Sequence, residues 1–156
     1  MTGTAERMAA VASVRTRLGM PYRWGGSGEV DVDCSGLVQR AFADAQIEPW
    51  ASAYPGTVRR NAHQLYTTLR GITAGAEHPL PGDLAFYGRA GRATHVVLVT
   101  EIGVGGETTA VVGASSKLGR VVEFRSCGPV EAHRYRRDFL GFRRFPGLAT
   151  TGGQTT

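Results

Sequence analysis

The hydrophobic period of this chain changes at Pro79, and that change constrains the fold more than any other feature of the sequence. Before Pro79, apolar residues recur at the spacing of amphipathic helices, whereas after it β-branched residues recur at the period of two that is typical of strands. Glycines in the second half mark turns between successive strands. Helices followed by consecutive strands predict an α+β domain with a largely antiparallel sheet of five or six strands.

Three helices are predicted in the first half of the chain, each from a stripe of apolar residues. The first covers residues 4–18, and its stripe comprises Met8, Val11, Ala12 and Leu18. The second begins at Cys34, where Asp33 or Ser35 can cap it, and its stripe comprises Leu37, Val38, Ala41, Phe42 and Ala45. The third opens at Thr57 and ends at Gly71, and its stripe comprises Val58, Ala62, Leu65 and Leu69.

Strands are predicted in the second half, where turn residues separate β-branched runs. They are expected within residues 79–88, 93–103, 107–115, 120–126 and 135–145. The length of 156 residues suits one domain, which we expect to cover residues 1–148. The polar segment 149–156 has nothing to bury and is predicted to be a disordered tail.

The charge balance is basic, because 18 Lys and Arg residues oppose 13 Asp and Glu residues. Lys117 is the single lysine, so arginine supplies almost all of the positive charge. Such a surface attracts polyanions or simply keeps a protein in solution, and charge alone does not choose between these interpretations. Nucleic acid is the least favoured partner, since the sequence has no zinc, helix-turn-helix or aromatic RNA-binding pattern.

Several kinds of site are disfavoured by the motifs that the chain lacks. It has no run of about eighteen apolar residues, so no membrane span is predicted. Cys34 and Cys127 lie far apart and outside any C-x-x-C pair, which suggests neither a zinc site nor a disulfide framework. The segment RWGGSGEV lacks the G-K-[ST] ending of a phosphate loop. We therefore expect no metal and no organic cofactor.

Cys34 stands where the second helix begins, between Asp33 and the pair Ser35-Gly36. At such a place the free N–H groups and the positive end of the helix dipole favour a thiolate, which is the nucleophilic form of cysteine. The same amides can stabilise the oxyanion that forms when a thiolate attacks a carbonyl. The plain alternative is a small core residue.

A cysteine nucleophile also needs a base, and histidine is the usual one. We favour His95, because it stands at the head of a β-branched strand that holds the side chain rigidly while leaving the strand end open to solvent. His63 lies within a helix, His78 sits in a loop before two prolines, and His133 falls in an arginine-rich segment. Each could equally be a satisfied or exposed histidine, so the residues alone indicate a candidate Cys34/His95 pair.

Four segments, PYRWGG, DCSGLVQRAF, LPGDLAFY and THVVLVTEIG, resemble in order the successive motifs of the NlpC/P60 family of cysteine peptidases. The resemblance covers most of the chain, from the first helix to the last strand. It implies a papain-like α+β fold in which a helix-borne cysteine faces a histidine on the central sheet. It also implies cleavage of bacterial cell-wall peptides, commonly between γ-D-glutamate and diaminopimelate or lysine.

The family motifs, carried over to this sequence, imply that Cys34 is the nucleophile and His95 the base of a thioester mechanism. Tyr22 matches the tyrosine of the Y-x-W-G-G element, whose hydroxyl would lie near the thiolate. Asp33 and Ser35 flank the nucleophile and are expected to bind backbone groups or a substrate amine. The floor of the site would be shaped by Trp24, Gly25 and Gly26. Core packing is an alternative for Tyr22 and an equal one for Trp24.

One position departs from the family pattern. The family usually has a third polar residue, often histidine, on the strand after the base, and here that position falls nearest to Gly113, which offers no side chain. A backbone carbonyl, a water molecule, Ser115 or a polar group of the last strands would then orient His95, so the third catalytic residue is unassigned. Asp83, in the PGDL turn, is expected to be structural.

The leading hypothesis is a cysteine endopeptidase acting on peptidoglycan stem peptides, with transfer of the acyl group to an amine as an open variant. The alternative, motivated by Gly113, is a weakly active or non-catalytic module that holds cell wall or a partner protein. The N-terminal segment lacks the pattern of a Sec signal. The resemblance implies action in the bacterial envelope or outside the cell, and the lack of a Sec pattern leads us to expect delivery by a phage particle, a phage tail or another delivery apparatus.

Overall fold

The computed structural model of the chain describes residues 2–53, 60–72, 78–125, 138–145 and 148. The helices of this part are α1 (Thr2–Thr16), α2 (Cys34–Asp44), α3 (Trp50–Ala53) and α4 (Ala62–Thr68). Its strands are β1 (Arg70–Gly71), β2 (Leu84–Arg89), β3 (Arg92–Ile102), β4 (Thr108–Ser115), β5 (Arg120–Arg125) and β6 (Phe139–Arg144). The predicted α+β class is confirmed, since the four described helices precede all six described strands.

The strands form a 6-stranded sheet in the order β1-β6-β2-β3-β4-β5. Every neighbouring pair is antiparallel, as predicted. The two-residue strand β1 was not predicted, because a segment that short shows no period. It exists through its pairing with β6, where Arg70 lies opposite Arg144. β6 therefore lies inside the sheet, between β1 and β2.

The main core lies between the helices and one face of the sheet. The apolar stripe predicted for α2 is buried in full, and it packs in one cluster with Val96, Leu98, Val112 and Ala114 of β3 and β4. Residues that alternate with these along the strands form a smaller cluster, which comprises Ala85, Tyr87, Val97, Val99, Val111 and Phe124. Burial on both sides explains why β3 and β4 read as continuous apolar runs.

The face that α1 turns to the core differs from the predicted one. Met8 is 60% exposed and Ala12 is also exposed, while Leu18 lies beyond the end of the helix. Val11 is buried as predicted, and its buried neighbours on the helix are Arg7, Ala10, Ser13 and Val14. The rotation follows from Arg7, whose guanidinium reaches the buried carboxylate of Asp83 and draws its own side of the helix inward.

The third predicted helix begins later than expected. Residues 54–59, which include Thr57, lie outside the described part, but Asn61 has extended backbone and caps a helix that begins at Ala62. Asn61 and Gln64 form a capping box, in which each side chain accepts a hydrogen bond from the other residue's backbone N–H. This box fixes the helix start at a position that the apolar stripe alone did not show.

The predicted division into residues 1–148 and a tail stays a prediction, because residues 149–156 lie outside the described part. Cys127 and His133 also lie outside it. None of the described helices has the length and apolar character needed to cross a membrane.

Asp83 is fully buried and holds three separate parts of the chain together. Its Oδ1 accepts hydrogen bonds from Arg7 Nη1 of α1 at 2.9 Å and from Arg144 Nε of β6 at 3.0 Å. Its Oδ2 accepts from Arg144 Nη2 at 2.7 Å and from the backbone N–H of Leu80 at 2.8 Å. Burial lowers the pKa of Arg7, and the neighbouring carboxylate opposes that effect. The prediction that Asp83 is structural agrees with this arrangement.

Replacing Asp83 by Ala is expected to lower the free energy of unfolding by about 3–5 kcal/mol, because it leaves two buried guanidinium groups without a counter-charge. Urea unfolding followed by circular dichroism measures the change. The matched control is Glu101→Gln, since Glu101 pairs with Arg15 and Arg125 at the surface and its loss should cost less than about 1 kcal/mol. Equal costs for the two variants would contradict the assigned role of Asp83.

Candidate active site

The glycine-rich segment before α2 is fastened to the edge of the sheet. The backbone N–H of Gly19 donates to the carbonyl of Val121, and the N–H of Val121 donates to that of Met20, each at 2.9 Å. The N–H of Tyr22 donates to the carbonyl of Gly119 in the β4–β5 turn at 2.9 Å. These bonds place Tyr22 beside the beginning of α2 and fix the backbone position from which its side chain extends.

Asp33 connects this segment to α2. One carboxylate oxygen, Oδ1, caps the helix by accepting from the N–H of Gly36 at 2.7 Å, and the hydroxyl of Ser35 donates to the same oxygen at 3.4 Å. The other oxygen accepts from the N–H of Gly25 at 2.9 Å. Asp33 thus binds two backbone N–H groups, and its expected contact with a substrate amine stays a prediction.

Cys34 is the first residue of α2, a free and half-buried thiol that lines a cleft of about 500 Å³. The cleft is lined by Tyr22, Trp24, Gly25, Asp33, Cys34, Ser35, Arg60, Asn61, Ala62, His63, Arg92, Ala93 and Thr94. The N–H groups of Cys34 and Ser35 have no acceptor among the described residues. These two amides can therefore donate to an oxygen atom that a ligand brings to the sulfur.

Tyr22 keeps its proton to a higher pH than an ordinary tyrosine does. Its pKa is raised first by partial burial, which disfavours the charged phenolate, and then by the negative charges of Cys34 and Asp33. A phenol that keeps its proton next to a cysteine can donate a hydrogen bond toward it. The role of the Tyr22 hydroxyl toward the nucleophile stays a prediction.

The three residues expected to form the floor of the site have different places. Trp24 lines the cleft and is 83% exposed, so its ring is a surface feature and not part of the core. Gly25 also lines the cleft and has a φ of +82°, which favours glycine. Gly26 is buried, and a Cβ atom at this position would lie 2.5 Å from the backbone nitrogen of Val32. Gly26 therefore allows the loop to close on itself and does not line the cleft.

His95 lies on β3 immediately after the three residues of that strand that line the cleft, Arg92, Ala93 and Thr94. It pairs across the strands with Tyr87, and the two ring centroids are 5.9 Å apart. Tyr87 belongs to the smaller core cluster, so this cross-strand pair indicates that the imidazole lies on that side of the sheet. The role of His95 as the base stays a prediction.

The position of the absent third residue lies beside His95, as the family motifs imply. A Cβ atom on Gly113 would be 3.8 Å from Nε2 of His95, but only 2.5 Å from Cγ1 of Val97. Val97 is fully buried and β-branched, so it cannot easily turn aside. Its side chain thus takes the space that a side chain at position 113 would need. Ser115 is engaged elsewhere, because its hydroxyl accepts from the N–H of Leu118.

Sequence reasoning missed the part of the cleft that the start of α4 supplies. His63, which lies within the helix α4, lines the cleft together with Cys34. Its Nδ1 accepts a hydrogen bond from the N–H of Ala93 at 3.1 Å, which joins α4 to β3. The N-x-x-Q spacing of the capping box signals a helix start at Asn61, but no local pattern shows that this helix faces Cys34.

Gln39 supports the same part of the cleft from below. Its fully buried amide donates to the carbonyls of Ser35 and Arg60, each at 2.7 Å. Its oxygen accepts from the N–H of Arg60 at 2.7 Å and from the indole N–H of Trp50 at 3.2 Å. All donors and acceptors of this amide are in use, so Gln39 fixes the backbone of Arg60 relative to α2. Among the described residues, no group of three His, Cys, Asp or Glu side chains could hold a metal ion.

Comparison with known proteins identifies close sequence relationships. The model of the NlpC/P60 family matches residues 19–123. A protein of Mycobacterium tuberculosis named "Probable endopeptidase" is 36% identical over 135 residues, which cover 83% of this chain and 30% of that protein. The bifunctional muramidase/DL-endopeptidase CwlT of Bacillus subtilis is 40% identical over 82 residues, which cover 50% of this chain and 22% of that protein. The chain thus spans less than a third of the length of these relatives.

Solved structures show the same fold. The peptidoglycan hydrolase RipB of Mycobacterium tuberculosis is similar with a TM-score of 0.60 and 27% sequence identity, and the match covers 89% of this chain and 64% of that chain. The predicted papain-like architecture, with helices on a largely antiparallel sheet, is confirmed by this likeness and by the described strands.

Replacing Cys34 by Ala is expected to lower the pKa of Tyr22 toward the ordinary value of about 10, because one of its three causes is removed while burial and Asp33 remain. Since the folded-state pKa lies above the unfolded one, the stabilisation from the protonated phenol is present at neutral pH and is lost as the pH rises through the folded value. NMR of tyrosine labelled at Cζ measures the titration, with Tyr22→Phe for assignment. An unchanged Tyr22 titration would show that the phenol does not sense the cysteine.

Replacing Gly113 by Ala is expected to lower the free energy of unfolding by about 1–3 kcal/mol, because the new methyl group meets Val97. In the background of Val97→Ala, where the clashing Cγ1 is absent, Gly113→Ala should lower the free energy of unfolding only slightly. Urea unfolding of the four proteins of this double-mutant cycle measures the coupling. Gly71→Ala is the control, since a Cβ atom there has its nearest neighbour at 3.6 Å. Additive effects would mean that Val97 does not limit position 113.

Proposed function

Because the chain belongs to the NlpC/P60 family, we propose that it is a cysteine endopeptidase that hydrolyses peptidoglycan stem peptides at a bond of the γ-D-glutamyl–diaminopimelate or γ-D-glutamyl–lysine type. Relatives of the chain are named endopeptidases and peptidoglycan hydrolases. The observation that carries the proposal is the free thiol of Cys34 at the beginning of α2, in an open cleft, next to two amides that have no acceptor among the described residues.

In the first step the sulfur of Cys34 attacks the carbonyl carbon of the scissile amide, and a carbon–sulfur bond forms. The electron pair of the carbonyl double bond moves to its oxygen. The N–H groups of Cys34 and Ser35 donate to this oxyanion, which is the stabilisation that acyl transfer needs most. The protonated hydroxyl of Tyr22 is a further donor at the same end of the cleft.

In the second step His95 gives the proton that it took from the thiol to the nitrogen of the leaving amine. The carbon–nitrogen bond breaks, the amine departs, and a thioester on Cys34 remains. His95 then takes a proton from water, whose oxygen attacks the thioester carbon. The carbon–sulfur bond breaks, the carboxylic acid is released, and His95 returns the proton to the sulfur, which restores the thiol. The support for this assignment is that His95 directly follows the cleft-lining residues of β3; transfer of the thiol proton requires its imidazole to turn from Tyr87 toward the cleft.

A weakly active or non-catalytic module that binds cell wall or a partner protein is the second candidate. The observation that favours it is the pair of Gly113 and Val97, which leaves no space for a polar side chain beside Nε2 of His95. Such a side chain fixes the tautomer and orientation of the imidazole in cysteine and serine hydrolases, and its loss reduces the rate without abolishing it. The two candidates therefore differ in rate and not in fold.

The proposed substrate places the action of the protein in the bacterial envelope or outside the cell. Relatives with peptidoglycan-directed names support this location. Delivery by a phage particle, a phage tail or another apparatus stays a prediction, as does hydrolysis over transfer to an amine.

The test is mass spectrometry of defined muropeptides incubated with the wild type, Cys34→Ala, His95→Gln and His78→Gln. We expect cleavage at the γ-D-glutamyl bond by the wild type, loss of cleavage in Cys34→Ala, and a loss of about 100-fold or more in His95→Gln because proton transfer is impaired. His78→Gln is the matched control, since His78 is exposed and outside the cleft lining. Melting temperatures verify that each variant is folded.

Full cleavage by Cys34→Ala would refute the thioester mechanism, and full cleavage by His95→Gln would refute the assignment of the base. If the wild type cleaves none of the muropeptides and its Cys34 reacts with iodoacetamide at pH 6 no faster than a free thiol, the second candidate is favoured.

A further inference from the structure

Three basic residues of the cleft lining take no part in the mechanism above. They are Arg60, His63 and Arg92, and we name them the basic edge. Within the described part of the chain, neither arginine forms an ion pair with a carboxylate. Asp33 is the acidic residue of the described lining, and its two oxygens are engaged by backbone N–H groups of its own loop and helix. The two arginines therefore bring positive charge to the cleft without an ion pair to a described carboxylate.

The ring of His63 is held so that one nitrogen remains available. Because a backbone N–H donates to Nδ1, that nitrogen carries the lone pair, and the proton of the neutral imidazole is on Nε2. The ring also stacks on Tyr66, with centroids 6.3 Å apart and an interplanar angle of 29°. Among the described residues, Nε2 has no hydrogen-bond partner. His63 therefore offers the cleft a donor with fixed orientation.

The two arginines of the cleft lining come from different segments of the chain. Gln39 holds both backbone polar groups of Arg60, and the guanidinium carbon lies 5.6 Å from the centre of the Trp50 ring. Arg92 begins β3 at the β2–β3 turn, where it pairs with Arg89, and its side chain is exposed. Guanidinium groups bind carboxylates through two parallel hydrogen bonds, and an additional N–H donor completes such a site.

We propose that the basic edge binds a free carboxylate of the stem peptide, so that the protein selects stem peptides that carry this carboxylate over their amidated forms. This inference rests on the proposed function. A γ-linked glutamate keeps its α-carboxylate next to the scissile bond, and diaminopimelate keeps a carboxylate on the other side. Both offer the same chemistry, and the two sources are separated by amidating one at a time.

Binding is measured on the Cys34→Ala protein, in which turnover does not interfere. Calorimetry compares a stem peptide that contains the γ-D-glutamyl–diaminopimelate bond with two derivatives, one amidated at the glutamate α-carboxylate and one at diaminopimelate. We expect one derivative to bind about tenfold more weakly, since a charge-assisted hydrogen-bond pair is lost. The weakened derivative identifies the carboxylate that the edge recognises.

Variants of the edge connect this selectivity to named side chains. Arg92→Ala should weaken binding of the acidic peptide about tenfold and leave the affinity for the weakened derivative unchanged. The control is Arg89→Ala, which removes the same charge from the same hairpin but outside the cleft lining and should change neither affinity.

His63→Asn separates a binding role from a structural one. The asparagine oxygen can accept from the N–H of Ala93 as Nδ1 does, while the Nε2 donor is removed. A binding role predicts loss of affinity for the acidic peptide alone, and a purely structural role predicts equal effects on all three peptides or none. Equal affinity of the Cys34→Ala protein for the three peptides, or no measurable binding of any, would overturn the inference.

The same peptides distinguish this failure from failure of the proposed function. If the wild type and the edge variants all cleave the acidic and amidated peptides equally well, the proposed endopeptidase function is supported and the inference about the basic edge is refuted. If the protein binds with the expected selectivity but cleaves none of the peptides, the basic edge stands and the proposed function falls.

Discussion

The buried carboxylate of Asp83 is the contact on which the rest of the architecture depends. It joins α1 at the beginning of the chain, the turn before β2 in the middle, and β6 near the end through two arginines and one backbone amide. A charge inside a protein is tolerated only when it is fully paired, so these three segments have one arrangement in which all partners are satisfied. That arrangement sets which face of α1 is buried and keeps β6 between β1 and β2.

The cleft forms where elements held by this framework come together. The loop of Tyr22 and Trp24 is fastened to the β4–β5 turn, and Asp33 connects it to α2. α4 is fastened to β3 by His63 and to α2 by Gln39 through Arg60. The site is thus supplied by segments distant in sequence, and most of its polar groups are held by backbone hydrogen bonds rather than by one another. Such support favours a preorganised site.

Local features of this protein were predictable from the sequence. Features that depend on contacts with residues distant in sequence were not. The start of α2 at Cys34 followed from the cap at Asp33, and its buried stripe followed from helical spacing. The prediction of which face of α1 is buried was wrong, because the pairing of Arg7 with Asp83 overrides the apolar pattern. The short strand β1 exists through its pairing with β6.

The candidate site shows the same division. Cys34, Tyr22 and Asp33 could be named because they carry motifs, and they lie together in the cleft lining. His63 could not, because its place over β3 depends on tertiary packing that no periodicity encodes. Trp24 was ambiguous, since an aromatic residue beside glycines fits both a core and a surface, and its exposure decides for the surface.

The close fit of Val97 against Gly113 has an evolutionary consequence. A polar side chain at position 113 needs a smaller residue at position 97. If position 113 changes first, the intermediate protein is overpacked, and if Val97 is replaced first, the intermediate has a cavity. Each single step lowers stability, and selection acts against such steps when proteins are marginally stable. Lineages that carry this pair are therefore expected to keep both residues or to exchange both.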